Sequence, residues 1–138
     1  MEWLEIDARD KELVQAAIDV IRRNFQDGKH TVGAAVLCAS GKIYTGVDLD
    51  TVGYGPCAEP VALGAAISNG EREFSAIVAV SGWSSKYPAL SPCGNCRQLL
   101  IEYAPEAFVI LPHNGKLLKT RARDLLPSPY KTFSEDEK

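Results

Sequence analysis

A chain of 138 residues, 46% of them apolar and 24% charged, falls in the range of one globular domain and excludes a disordered or fibrous polypeptide. Its 15 basic and 18 acidic residues leave a net charge of −3, so it lacks the overall positive field that attracts nucleic acid or an anionic membrane surface. The longest apolar stretch, Val32 to Ala39, is far shorter than a membrane span, and residues 1–5 (MEWLE) hold no apolar signal core. A cytoplasmic protein with neither a nucleic-acid nor a membrane partner is the expectation.

The first predicted element runs from Asp10 to Phe25, where Leu13, Ala16, Ala17, Val20 and Ile21 recur at the steps of an amphipathic helix, with Asp27-Gly28 as its stop. Thr31–Ala39 and Lys42–Val47, separated by Ser40-Gly41, read as a β-hairpin. Cys57 to Asn69 is an alanine-rich helix ended by Asn69-Gly70, and Phe74 to Ser81 is a continuous apolar run of strand length. Pro92 stands where a helix begins, so Cys93 to Tyr103 is predicted helical. A strand over Ala107–Leu111, a turn over His113–Lys116, a short return strand over Leu117–Thr120 and a helical turn over Arg123–Leu126 follow. Alternating helices and strands after an opening hairpin predict an α/β sandwich around a mixed sheet of about five strands. Residues 1–130 form a single domain in this reading, and 131–138 a polar tail containing Glu135, Asp136 and Glu137.

Three of the four cysteines fall at predicted helix starts: Cys57 at one, Cys93 and Cys96 at the next. A helix N-terminus carries partial positive charge that stabilises a thiolate, and one helical turn brings both sulfurs of a C-x-x-C to the same side. Three thiolates are a soft donor set suited to tetrahedral Zn2+, and three protein ligands leave a fourth position for water, the mark of a catalytic rather than a structural zinc. Glu59 stands two residues after Cys57, within reach of that water as a general base. Cys57-Ala58-Glu59 followed by Pro92-Cys93-Gly94-Asn95-Cys96 reproduces the order ligand-x-Glu, then P-C-x-x-C, of zinc deaminases.

On these residues, and on residues 32–36 (VGAAV), 41–46 (GKIYTG), 55–59 (GPCAE), 90–94 (LSPCG), 96–98 (CRQ) and 123–127 (RDLLP), the chain resembles the cytidine deaminase superfamily, most closely the small cytidine and blasticidin S deaminases. The resemblance implies a three-layer α/β/α sandwich and a hydrolytic deaminase that converts a cytosine-type ring to its keto form with release of ammonia. It also implies a homotetramer or homodimer and a nucleoside-like small-molecule substrate. Residue by residue, it implies Cys57, Cys93 and Cys96 as zinc ligands and Glu59 as the proton shuttle. Ala58 and Ser91 would present backbone groups to the ring edge, and Arg97, beside Cys96, would either be a solvated helix residue or offset thiolate charge. Tyr130 would either close over the site or anchor the tail.

The family's Asn-x-Glu ribose segment is matched by Asp48-Leu49-Asp50, its usual aromatic residue two positions before Val-Gly-Ala by His30, and the arginine common after Cys-Ala-Glu by Pro60. Asparagine donates and accepts hydrogen bonds whereas an ionised aspartate only accepts, so Asp48 and Asp50 favour a cationic substrate, such as a nucleoside bearing a guanidinium. Other readings stand beside this one. They are a deaminase of a non-nucleoside aminated heterocycle, a non-enzymatic zinc domain closed by Cys38, His30 or His113, and a dithiol redox protein using Cys93 and Cys96. Cys38 itself reads as a buried thiol, and Lys116, Lys119, Arg121 and Arg123 as a solvated strand face.

Overall fold

The structure, a computed structural model, describes residues 1–131; the acidic end of the predicted tail lies outside the described residues. Its elements are β1 (Leu4–Glu5), α1 (Ala8–Asn24), β2 (Val32–Cys38), β3 (Ile43–Val47), α2 (Ala58–Ser68), β4 (Phe74–Ser81), α3 (Gly94–Tyr103), β5 (Phe108–His113), β6 (Lys116–Arg121) and a 3-10 turn over Ala122–Leu125. The strands form a single six-stranded sheet in the order β1-β6-β5-β4-β2-β3. β4 and β5 are parallel and joined through α3; the other neighbours are antiparallel.

The sheet therefore has one strand more than the expected five. β1 pairs Leu4 with Lys119 and Glu5 with Leu118, and two residues are too few for any alternation to reveal a strand. Helix α1 starts earlier than the apolar pattern suggests because Asp7 caps it: the Asp7 carboxylate accepts from the Asp10 amide at 2.9 Å, and Asp10 accepts from the Asp7 amide at 3.0 Å. It also ends earlier, at Asn24. The chain leaves extended at Phe25 and reverses through Gln26–His30, where Gly28 takes a φ of +75°.

Strand periodicity sorts the core into two sides of the sheet. Ala34, Val36, Ile77, Ala79, Val109 and Leu111 face one layer with Ala62 and Leu63 of α2 and Leu100 of α3. Ala35, Val78, Val80 and Ile110 face the other with Leu13, Ala17 and Ile21 of α1. This is the three-layer α/β/α arrangement, α1 on one face and α2 with α3 on the other. A buried ion pair fixes α1 to the far side of the sheet, with Lys119 Nζ 2.6 Å from Asp10 Oδ2. No described helix is long and apolar enough to cross a membrane.

A close backbone approach positions α2. A Cβ on Gly46 of β3 would lie 2.6 Å from the Ala62 amide nitrogen, so glycine alone lets the first turns of α2 sit directly on the edge strand. That contact sets where the amino end of α2 emerges.

Candidate active site

Cys57 is the N-cap of α2 and Cys93 the N-cap of α3, both in extended backbone. Their sulfurs face each other, with Cys57 Sγ 3.6 Å from Cys93 Sγ. Cys96, one turn into α3 and almost fully buried, completes a group whose ligand atoms all lie within 4.8 Å of one another. Tetrahedral zinc with Zn–S bonds of about 2.3 Å requires sulfurs about 3.8 Å apart, so this trio fits Zn2+. Among the described residues the group consists of these three. Cys38 lies in the core with its thiol pushed up to about 11 by burial and by the charge of Glu71. His30 Nδ1 donates to the Asp48 carbonyl at 2.8 Å, and the His113 ring stacks on Trp3 with centroids 3.8 Å apart. None of the three residues weighed as a closing fourth ligand is part of the group.

Glu59, in the first turn of α2, is only 6% exposed. Burial raises its carboxyl above the ordinary 4.5, outweighing the opposing hydrogen bonds from its own amide and from Cys96. Burial likewise raises the Cys57 thiol, and it raises Cys96 with the Glu59 charge adding to it. At Cys93 burial is opposed by hydrogen bonds from the amides of Cys96 and Asn95 and from the other two thiols, and the net direction is downward. The helix amino end therefore favours the thiolate most strongly at the most exposed of the three sulfurs.

The sulfurs of Cys57 and Cys93 and the Glu59 carboxyl border a cavity of ≈ 200 Å³ that also takes in Asp48, Asp50, Ala58 and Ser91. Four of the five positions predicted to meet substrate thus line the same cavity as Cys57 and Cys93. Tyr130 is not brought there: its ring is largely exposed, and its carbonyl accepts from Gln98 Nε2 at 3.1 Å on the outer side of α3. Asp48 lines the cavity, but its carboxylate is already engaged. It accepts from the Thr31 amide at 2.7 Å, the Val32 amide at 2.9 Å and the Thr31 hydroxyl at 3.2 Å. Asp50 has no such backbone partners among the described hydrogen bonds. Its carboxyl is raised by burial, by hydrogen bonding with Asp48 and by the Asp48 charge, with His30 and Lys29 opposing.

Arg97 is not a solvated helix residue. Its guanidinium donates to the Pro92 carbonyl, the Leu125 carbonyl and the Ser91 hydroxyl, each at 2.8 Å, and among the described residues none of its hydrogen bonds reaches a sulfur. The basic cluster near the chain end is largely paired: Lys119 with Asp10, Lys116 with Glu5, Arg123 with Glu106, and Arg121 over the Phe108 ring. Of the loop aromatics, Trp83 meets Phe25 edge-on, Tyr87 packs under Arg22, and Tyr54 is exposed.

Comparison with known proteins gives consistent relationships. Residues 7–111 match the family described as the cytidine and deoxycytidylate deaminase zinc-binding region. A blasticidin-S deaminase from Bacillus cereus is 40% identical over 137 residues, covering 94% of this chain and 98% of that protein. The crystal structure of a cytidine deaminase from Burkholderia pseudomallei superimposes with a TM-score of 0.72 at 34% identity, over 87% of this chain and 98% of the other. That of a cytidine deaminase from Mycobacterium tuberculosis gives 0.73 at 29%, over 91% and 100%.

The raised Glu59 carboxyl has a consequence for stability. A carboxyl whose value is higher folded than unfolded supports the fold fully below its unfolded value, near 4.5, and loses that support as pH rises through the folded value. Metal-free Glu59→Gln is therefore expected to be more stable than metal-free wild type at neutral pH. Urea unfolding at several pH values should show this difference shrinking as pH falls through the raised folded value and absent below about 4.5.

Proposed function

The chain belongs to the cytidine and deoxycytidylate deaminase family, and from that membership we propose how its residues carry the reaction and which substrate they select. It is a zinc-dependent hydrolytic deaminase of cytosine-type nucleosides. The observation that carries the residue assignment is a group of three cysteine sulfurs, two of whose residues, Cys57 and Cys93, line one cavity together with the buried Glu59.

In this reading Cys57, Cys93 and Cys96 hold the zinc. Bound there, zinc makes water acidic enough to lose a proton near neutral pH. Glu59 accepts that proton and passes it to the ring nitrogen beside the amino-bearing carbon. With the water oxygen bonded to that carbon, Glu59 would take the oxygen's remaining proton and deliver it to the amino group, so that the C–N bond breaks, ammonia leaves and the oxygen stays on the ring as the keto oxygen. A buried carboxyl with a raised proton affinity suits this alternation, because the proton-bearing form costs less in the site than it would in water. Ala58 and Ser91, lining the same cavity, offer backbone groups to the ring edge and hold that carbon toward Glu59.

The substrate we favour is a cytosine nucleoside bearing a cationic group, as in blasticidin S. The extent of likeness to a blasticidin-S deaminase supports this, as does the pair of carboxylates on the cavity wall. The two have different tasks. Asp48 pins the start of β2 through the Thr31 and Val32 amides, so it shapes the cavity rim, and Asp50, which has no backbone partner for its carboxylate among the described hydrogen bonds, is the one to meet a cation. We further take the enzyme to be cytoplasmic, consistent with four cysteines present as free thiols, and a homotetramer or homodimer, with exposed Val52 and Tyr54 as apolar surface beside the site. An aminated heterocycle without a sugar or a cationic substituent would leave Asp50 without a partner, so the nucleoside reading is preferred.

Ammonia release by zinc-loaded protein tests the assignment. Glu59→Gln should keep its zinc and lose roughly 10²–10⁴ in kcat; full activity in that variant would remove Glu59 from the reaction. Asp50→Asn should raise KM about tenfold for a guanidinium-bearing cytosine nucleoside, the equivalent of about 1.4 kcal/mol, and leave cytidine nearly unchanged. Because protonation removes the Asp50 charge, KM for the cationic substrate should also climb on acidification, beginning at a higher pH than for an ordinary aspartate. Equal effects on neutral and cationic substrates would sink the cation assignment.

A further inference from the structure

We propose that Arg97 is a positioning residue that ties the C-terminal 3-10 turn to the rim of the substrate cavity, and so holds the Ser91–Cys93 segment in register with the zinc and the ring. The proposal rests on the deaminase reading and goes beyond it, since Arg97 touches neither substrate nor a sulfur.

Four observations converge on this residue. First, its guanidinium makes three hydrogen bonds of 2.8 Å to three separate points of the chain: the Ser91 hydroxyl, the Pro92 carbonyl and the Leu125 carbonyl. A planar fork of five donors can do this, whereas a point ammonium cannot. Second, all three acceptors are neutral, and none of the described ion pairs involves Arg97. The arrangement is one of geometry rather than of charge pairing. Third, the segment it grips has little else to hold it. The Leu90 amide donates to the Ala79 carbonyl at 2.8 Å, and the next backbone link is the Arg97 amide to the Cys93 carbonyl at 2.9 Å. Pro92 between them has no N–H to donate, and the Ser91 hydroxyl and the Pro92 carbonyl both accept from Arg97. Fourth, that segment is the working rim: Ser91 and Cys93 both line the cavity.

The far end of the tie is equally defined. Leu125 is buried, its turn packs on α3, and its carbonyl accepts from the same guanidinium. The neighbouring Gln98 holds the Tyr130 carbonyl. Successive residues of one helical turn thus serve different ends: Cys96 belongs to the sulfur group, Arg97 grips the rim and the 3-10 turn, and Gln98 grips the chain beyond. The position of the C-terminal segment is transmitted to the cavity through one side chain.

The test uses the full-length protein with Arg97→Lys and Arg97→Met, read by zinc content, steady-state kinetics on a cytosine nucleoside, and amide hydrogen exchange. Both variants should bind zinc one to one. Both should raise KM about tenfold, the equivalent of one lost hydrogen bond of about 1.4 kcal/mol, with kcat changed less. Exchange should rise together in peptides covering 89–95 and 122–126, with the central strands unchanged. Adding Ser91→Ala to Arg97→Met should cost less than the two single effects combined, because both break the same link. Lysine restoring wild-type KM and exchange would overturn the proposal in favour of a simple counter-charge. Wild-type exchange over 89–95 in Arg97→Met would overturn it as well. Hydrogen exchange needs no substrate, so wild-type protein that deaminates nothing would count against the deaminase reading while leaving the tie itself decided by exchange.

Discussion

The amino ends of α2 and α3 meet at one point, and the site depends on that meeting more than on any single contact. Three thiolates and a carboxylate facing one divalent cation carry excess negative charge, and a buried site must supply something against it. The position after Glu59 is Pro60, not a basic residue, and Arg97 is turned toward carbonyls and a hydroxyl. What remains is the pair of helix termini, each equivalent to roughly half a positive charge. The Cys96 and Asn95 amides hydrogen-bond Cys93, whose thiol is lowered despite its desolvation. Placing Cys93 at an N-cap, where Ser, Thr, Asp or Asn would ordinarily serve the helix, gives terminal amides of α3 to a sulfur of the site instead.

The sheet makes this convergence possible. α2 follows β3 and α3 follows β4, two strands that run the same way on either side of β2, and the two helices lie on the same face, so both start at the same end of the sheet. Gly46 lets α2 settle close to the edge strand, and the parallel β4–β5 pair leaves α3 as the crossover between them. A site so built is coupled to folding. Metal binding draws together two helices that in its absence would hold a cluster of desolvated thiols and a desolvated carboxyl against each other.

The chemistry-bearing residues were legible in the sequence because their relations are local. Cys93 and Cys96 lie one helical turn apart, so spacing alone puts both on one side of α3, and Cys57 and Glu59 stand two residues apart at the start of α2. The helices and the longer strands were legible for the same reason of periodicity. What escaped depends on partners far along the chain. The task of Asp48 is set by the amides of Thr31 and Val32 across the β2–β3 hairpin, and nothing near Asp48 announces them. Arg97 is defined by Leu125, and β1 exists only because β6 offers it an edge. The cluster of basic residues near the chain end read as a solvated face, whereas Lys119 is a buried partner of Asp10 from the first helix. Tyr130 shows the same limit from the other side: the resemblance left it either closing over the site or anchoring the tail, and its described hydrogen bond is from Gln98 of α3.

Zinc K-edge X-ray absorption on the zinc-loaded protein tests the central claim most directly, because it reads the metal's neighbours without reference to any substrate. The account predicts three sulfurs at about 2.3 Å and one lighter oxygen neighbour at about 2.0–2.2 Å, the open fourth position a hydrolytic site requires. A shell of four sulfurs would mean a closed structural centre. A shell dominated by nitrogen and oxygen would mean that Cys57, Cys93 and Cys96 are not the ligand set, and either result would contradict the account.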